Sequence, residues 1–113
     1  MVVRIKRIYE EPAEEDGCRV LVDRLWPRGV SKERAQLAVW LKDVAPTTGL
    51  RRWFNHEEPK WHEFRARYTA ELEQNDAVSK LRELVDSHDV VTLVYGARSE
   101  TENQAVVLRD YVS

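Results

Sequence analysis

The stretch that decides the fold reads RVLVDRLWPRG and covers residues 19–29. Its first part is rich in β-branched and leucine residues, which suit a buried strand over residues 19–23, whereas Pro27 and Gly29 end that strand in a turn. The charged residues Asp23, Arg24 and Arg28 emerge where the strand ends. Ligands of open α/β sheets bind at the carboxyl ends of the strands, so this stretch predicts the position of a site.

Length and composition predict a single domain over residues 1–113. Hydrophobic residues make up 42% and charged residues 34% of the chain, which is enough for one core. No apolar run approaches the roughly 18 residues that cross a bilayer, and the N-terminus lacks a signal-peptide pattern. We therefore expect a cytoplasmic protein that does not contact membranes, and the sequence leaves its oligomeric state open.

Cysteine and histidine spacing gives no metal or cofactor pattern. The lone Cys18 has no disulfide partner, and His56, His62 and His88 are scattered rather than spaced as zinc ligands. The glycines of a phosphate-binding loop or of a dinucleotide fingerprint are also absent. We predict no metal and no cofactor, and we expect Cys18 to be a packed side chain rather than a nucleophile.

Hydrophobic periodicity predicts the other elements. Two further strands are expected at residues 2–9 and 90–95, and three clear helices at residues 60–73, from a cap at Asp76 to near His88, and at residues 103–112. The run 90–95 is almost continuously apolar, which is typical of a strand covered on both faces, so it should lie beside the strand at 19–23. The strand at residues 2–9 should lie near a sheet edge, and whether it runs parallel to the next strand is left open.

Shorter elements are predicted from caps. Ser31 is a candidate N-cap for one helical turn, and Thr47 or Thr48 for a short helix after Pro46, whereas residues 37–44 fit a strand and a helix equally well. Thr101 is a candidate N-cap of the last helix, with Gln104 completing a capping box. The order of elements indicates a single layered α/β domain with a small, mostly parallel sheet and helices packed on its faces.

The preferred function is binding of a phosphate- or carboxylate-bearing small molecule where the central strands end. Arginine guanidinium groups suit such anions, and the start of the last helix offers free N–H groups to the same anion. An acid there can act as a base or orient a hydroxyl, a tyrosine can donate a hydrogen bond, and a tryptophan can stack on a ring. The structural alternative pairs the acid with an arginine and buries the tryptophan in the core. The candidate residues are Asp23, Arg24, Trp26, Arg28, Tyr95, Arg98 and Asn103.

Two other functions remain open. Residues 1–56 carry 11 Lys and Arg against 8 Asp and Glu, a net charge of +3, whereas residues 57–113 carry 7 against 12, a net charge of −5. The first half therefore allows a nucleic-acid-binding accessory or regulatory protein, with Trp53 as a stacking surface and basic residues at 24, 28, 32, 34, 51 and 52, although a pI near 5.9 disfavours this. The third possibility is a structural or interaction protein without a ligand, whose arginines pair with its carboxylates. Whether any reaction is catalysed stays open.

The residues also resemble a known family. The run DGCRVLVDRLWPRG at 16–29, YGAR at 95–98 and NQAVVL at 103–108 are similar to the YeaO-like branch of the bacterial domain of unknown function 488 family. The resemblance covers nearly the whole chain and implies a small cytoplasmic α/β protein without an established activity. More distant branches carry a Cys-His-Arg group near the last helix, but residues 101–104 read TENQ here, so no thiol chemistry is carried over.

Overall fold

The sheet contains four parallel strands. The computed structural model describes residues 2–113, and within them the strands are β1 (Val2–Arg7), β2 (Cys18–Leu21), β3 (Val39–Trp40) and β4 (Val90–Tyr95). Their order is β1-β4-β2-β3, and every neighbouring pair is parallel. The predicted neighbours at 19–23 and 90–95 are indeed adjacent, and β1 lies at an edge. β1 and β2 do not pair with each other, because β4 lies between them.

Helices connect and cover these strands. They are α1 (Lys32–Ala35), α2 (Thr48–Phe54), α3 (Trp61–Glu73), α4 (Ala77–Ser87) and α5 (Gln104–Val112), with 3₁₀ turns at Glu14–Asp16, Lys42–Val44 and Glu58–Lys60. The predicted α/β architecture is confirmed, and the ambiguous residues 37–44 form the short strand β3 followed by a 3₁₀ turn. No helix among residues 2–113 combines the length and the apolar character that crossing a membrane requires.

The two faces of the sheet bury different side chains. Alternate residues of β2 and β4, such as Val20 and Leu93, face the main core, which the side chains of α2, α3, α4 and α5 complete. The intervening residues Leu21 and Val94 face a smaller cluster that includes Ala35 of α1. This period-two alternation places helices on both faces, as a parallel sheet requires.

A buried ionic network lies on the face of the sheet that carries the smaller cluster. The Asp16 carboxylate accepts hydrogen bonds from Arg19 at 2.6 Å, Lys6 at 3.1 Å and the Ala13 backbone N–H at 3.0 Å. Asp16 is 6% and Arg19 4% exposed. Burial alone would raise the pKa of Asp16, but the hydrogen bonds from Ala13, Lys6 and Arg19 together lower it below its ordinary value.

Two predicted caps are wrong, while Ser31 and Thr47 cap α1 and α2 as expected. Asp76 already has helical backbone angles and makes no capping bond; instead the side chain of Asn75 accepts from the Ala77 N–H at 2.9 Å. At α5 the extended residue is Asn103 rather than Thr101, and the Asn103 amide oxygen accepts from the Val106 N–H at 3.1 Å. A side-chain cap requires a non-helical residue directly before the first turn, and only Asn103 meets that requirement at α5.

Candidate functional site

The candidate site is a cavity where β2 and β4 end. After β2 the chain turns toward α1, which packs on one face of the sheet. After β4 the chain turns toward α5, which packs on the other face. This divergence opens a crevice beyond the carboxyl ends of two adjacent parallel strands. The cavity there has a volume of about 260 Å³. Its polar lining comes from the strand ends and from α2 and α5, and includes Asp23, Arg24, Arg51, Gly96 and Gln104.

Asp23 is fixed by both of its carboxylate oxygens. Oδ2 accepts a hydrogen bond from the Gly96 N–H at 2.9 Å, and Oδ1 accepts one from the Gln104 side-chain amide at 2.5 Å. Burial raises the pKa of Asp23 to about 6, although these two hydrogen bonds and the charge of Arg51 oppose the rise. The carboxyl is therefore mostly ionised at neutral pH and becomes protonated at mildly acidic pH.

Gly96 allows this arrangement because it has no side chain. A Cβ atom at residue 96 would lie 2.9 Å from Asp23 Oδ2, closer than real Cβ contacts allow. The chain therefore passes directly from β4 over the carboxylate that follows β2. This close approach is the physical reason for a glycine in the YGAR run.

Arg24 joins the end of β2 to the segment before α2. Its Nε donates to the carbonyl of Pro46 and its Nη2 to the carbonyl of Ala45, both at 3.0 Å. The same side chain borders the cavity on one side and an open outer groove, near Thr47 and Glu71, on the other. Arg24 is thus part of the scaffold and also a charged wall of the cavity, with donors left over for a ligand.

Arg51 brings a cation without a protein partner into the cavity. Its Nε is buried and has no hydrogen-bond partner in the described chain. None of the ion pairs among residues 2–113 includes Arg51. Arg51 lies on α2, whose N-cap residue is Thr47. Glu71 of α3 fixes this cap, because its carboxylate accepts from the backbone N–H and the hydroxyl of Thr47 at 3.0 and 2.7 Å.

The other side chains that line the cavity are mostly apolar, and Tyr9 and His56 also border the cavity. Trp26 lines it with Leu25, Pro27, Phe54 and Phe64. Trp26 is half-buried; its ring N–H donates to the Val30 carbonyl at 2.7 Å and its ring packs edge-on against Trp40 at 5.4 Å between centroids. The ring is therefore held in place by the fold and still borders the cavity.

The predicted candidates do not all converge. Asp23, Arg24 and Trp26 line the cavity, whereas Arg28 is exposed on the turn after β2 and does not line it. Arg98 lies by an adjacent hollow that shares Phe54, His56, Gly96 and Ala97 with the main cavity. The expected meeting of the Arg24, Arg28 and Arg98 guanidinium groups over one hollow is thus not observed, because the two turns carry Arg28 and Arg98 past the cavity.

Tyr95 and Asn103 have structural positions. Tyr95 is 1% exposed because the strand alternation turns its ring into the main core. Asn103 is 1% exposed, and its amide is used at both ends: the oxygen caps α5 and the nitrogen donates to the Ser99 carbonyl at 2.8 Å. Neither side chain lines the cavity.

Two residues that line the cavity, Arg51 and Gln104, were not among the candidates predicted from the sequence. Arg51 was one basic residue among several near a short helix, and no local pattern shows which of them turns inward. Gln104 was expected to complete a capping box, yet its amide donates to Asp23. A signal did exist for Gln104, since the first residue of a helix that follows a parallel strand lies near the ligand-binding edge of the sheet.

The site combines a cation, a carboxyl of raised pKa and an apolar wall. Such a set can bind an organic anion and exchange a proton with it. No group of three or more His, Cys, Asp and Glu side chains placed to hold a metal ion occurs within residues 2–113.

The fold and the cavity define a small parallel α/β protein with an arginine-lined pocket at the carboxyl edge of its sheet. The chain belongs to the DUF488 family: residues 2–113 match the model described as "Inactive DUF488-N3 subclade". It is 39% identical to the uncharacterized protein YeaO of Escherichia coli (strain K12) over 112 residues, which cover 99% of this chain and 97% of that protein.

A mycobacterial relative is similar over a slightly shorter stretch. The chain is 42% identical over 106 residues to the uncharacterized protein Rv3073c of Mycobacterium tuberculosis (strain H37Rv), with 94% of this chain and 89% of that protein covered. No solved structure gives a significant match. The family resemblance seen in the sequence is therefore confirmed.

Proposed function

We propose that this protein binds a small organic anion, bearing a carboxylate or a phosphate, in the cavity at the carboxyl ends of β2 and β4. Arg51 supplies the principal contact to the anion, and Arg24 adds a second positive charge at the wall. Trp26 and the neighbouring apolar side chains cover the rest of the ligand. The protein acts as a binding protein in this proposal.

The observation that carries the proposal is the Arg51 guanidinium, which lines the cavity and takes part in none of the ion pairs among residues 2–113. Its Nε is buried without a hydrogen-bond partner, and buried charged groups in folded proteins nearly always have partners because leaving them without one is costly. A carboxylate or phosphate in the cavity would accept charge-assisted hydrogen bonds from the part of the guanidinium that borders the cavity. The volume of about 260 Å³ suits a small molecule rather than a polymer segment.

Two further observations favour this function over the alternatives. The Trp53 ring, the expected stacking surface for nucleic acid, has the Arg67 guanidinium 4.4 Å and the Lys60 ammonium 5.1 Å from its centroid. Arg24 bonds to backbone carbonyls rather than to carboxylates, unlike the pairing expected of a purely structural role. The description of the matching subclade as inactive supports binding rather than catalysis.

The test is isothermal titration calorimetry with inorganic phosphate, benzoate and adenosine monophosphate against the wild type and two variants. Arg51→Gln should weaken the anion that binds best by about 10- to 100-fold, because one charge-assisted hydrogen bond is lost. Arg52→Gln is the matched control, since Arg52 is the next residue of α2, is exposed and does not line the cavity. It should leave the affinity unchanged.

The proposal fails if none of these anions binds or if both substitutions weaken binding equally. A single-stranded oligonucleotide, titrated at two salt concentrations, tests the alternative function of nucleic-acid binding. If it binds with steep salt dependence while the small anions do not bind, the protein is a nucleic-acid-binding protein instead.

A further inference from the structure

Two opposite charges share the cavity without pairing. Asp23 and Arg51 both line it, and the Arg51 charge lowers the pKa of the Asp23 carboxyl, so the two groups act on each other. Yet their side-chain nitrogen and oxygen atoms do not come within 4.0 Å of each other. A space therefore separates an anion and a cation that face the same hollow.

The hydrogen-bonding capacity left on each side defines what fits this space. Each Asp23 oxygen already accepts one hydrogen bond, from Gly96 or from Gln104, and an ionised carboxylate has about four acceptor positions in all. Asp23 can therefore still accept from a donor. The Arg51 guanidinium, which lines the cavity and makes no ion pair among residues 2–113, has the opposite need, because it can only donate.

A ligand that satisfies both groups carries an acceptor anion and a donor cation side by side. We infer that the cavity takes a zwitterion with an apolar side chain, such as an α-amino acid, whose carboxylate contacts Arg51 and whose ammonium group contacts Asp23. This inference rests on the proposed function and makes the ligand class more specific.

The walls and the charge of the cavity agree with such a ligand. Trp26, Phe54 and Phe64 form an apolar wall beside the polar end, which suits the side chain of an amino acid. A plain anion would place its negative charge near the Asp23 carboxylate and lose part of the attraction of Arg51. A zwitterion avoids that repulsion because its ammonium group lies between the two negative charges.

The experiment compares ligands that differ by one charged group. Three ligands are titrated calorimetrically into the protein at neutral pH: phenylalanine, 3-phenylpropanoate, which lacks the amino group, and phenethylamine, which lacks the carboxylate. Phenylalanine should bind at least tenfold more tightly than either analogue. In Asp23→Asn this preference over 3-phenylpropanoate should disappear, because the amide no longer attracts the ammonium group while it also no longer repels the carboxylate.

The outcomes separate the two proposals. Equal affinity for phenylalanine and 3-phenylpropanoate in the wild type overturns the zwitterion inference but leaves anion binding intact. The same holds if only inorganic phosphate binds, or if Asp23→Asn keeps the wild-type preference. Absence of binding for every anion, phosphate included, removes the proposed function as well. The wild-type comparison decides the inference even if the variant fails to fold.

Discussion

Replacing Asp23 by Asn should stabilise the protein at neutral pH. The pKa of the half-buried Asp23 carboxyl is raised to about 6 from an ordinary 3.8, so the folded state holds this proton more tightly than the unfolded state does. The stability that Asp23 contributes is therefore present in acid and is lost as the pH rises through about 6. Asn keeps the shape of the side chain and removes the charge that burial penalises. Its oxygen can accept from the Gly96 N–H, and its NH2 group can donate to the Gln104 side-chain oxygen once the Gln104 amide turns over.

The magnitude follows from the two pKa values. Each pKa unit of difference corresponds to about 1.4 kcal/mol, so ionising Asp23 in the folded state costs roughly 3 kcal/mol over the full titration. Of this, about 2 kcal/mol falls between pH 4 and pH 7.5. The free energy of unfolding of Asp23→Asn, relative to the wild type, should thus increase by about 2 kcal/mol over that interval.

Urea unfolding followed by circular dichroism at the two pH values measures this change. Taking the difference between variant and wild type cancels the titration of all other groups, provided that the substitution does not perturb them. Asp86→Asn is the control for removing one carboxylate outside the cavity, since Asp86 is exposed on α4 and does not line the cavity. A difference between Asp23→Asn and the wild type that does not change with pH would refute the claim that Asp23 is ionised at a cost in the cavity.

Three other substitutions test separate parts of the structure. Gly96→Ala should destabilise the fold by about 1–3 kcal/mol, because the new Cβ displaces the Asp23 carboxylate; an unchanged urea midpoint would contradict the close approach. Asp16→Asn should cost about 3 kcal/mol at neutral pH, because the buried Arg19 keeps its bonds to the Ala35 carbonyl but loses its carboxylate partner. Because the pKa of Asp16 is lowered, the wild type should lose this stability as the pH falls below about 4, and a variant that loses none would refute the network. Burial raises the pKa of the Cys18 thiol, so dithionitrobenzoate should modify Cys18 only as fast as the protein unfolds. Rapid labelling of the native protein would contradict the packed position. Cys18→Ser should leave anion binding unchanged.

Long periodic segments made the fold predictable. The apolar run at 90–95 and the strand at 19–23 require cover on both faces, and this requirement alone placed them side by side. The helices at 60–73 and 103–112 followed from three- and four-residue spacing of apolar side chains. The order of the strands could not be predicted from the sequence. The ten residues between β1 and β2 do not show that β4 lies between these two strands in the sheet.

The candidate site was predictable only along the strand that carries it. Asp23, Arg24 and Trp26 follow β2 directly, so their position depends on one element. Arg51 enters the cavity from α2, which depends on where Glu71 of α3 holds the Thr47 cap. Such a position depends on the packing of distant segments, which a local pattern does not record.

The pair of bonds from Arg24 to the carbonyls of Ala45 and Pro46 has one more consequence. This side chain borders both the interior hollow and the groove on the outside, so it is a tether and a shared lining group at once. Shortening it to alanine would remove the two bonds to the segment before α2 and a positive charge from both spaces in the same step. The integrity of the segment before α2 and the charge of the cavity therefore depend on one guanidinium.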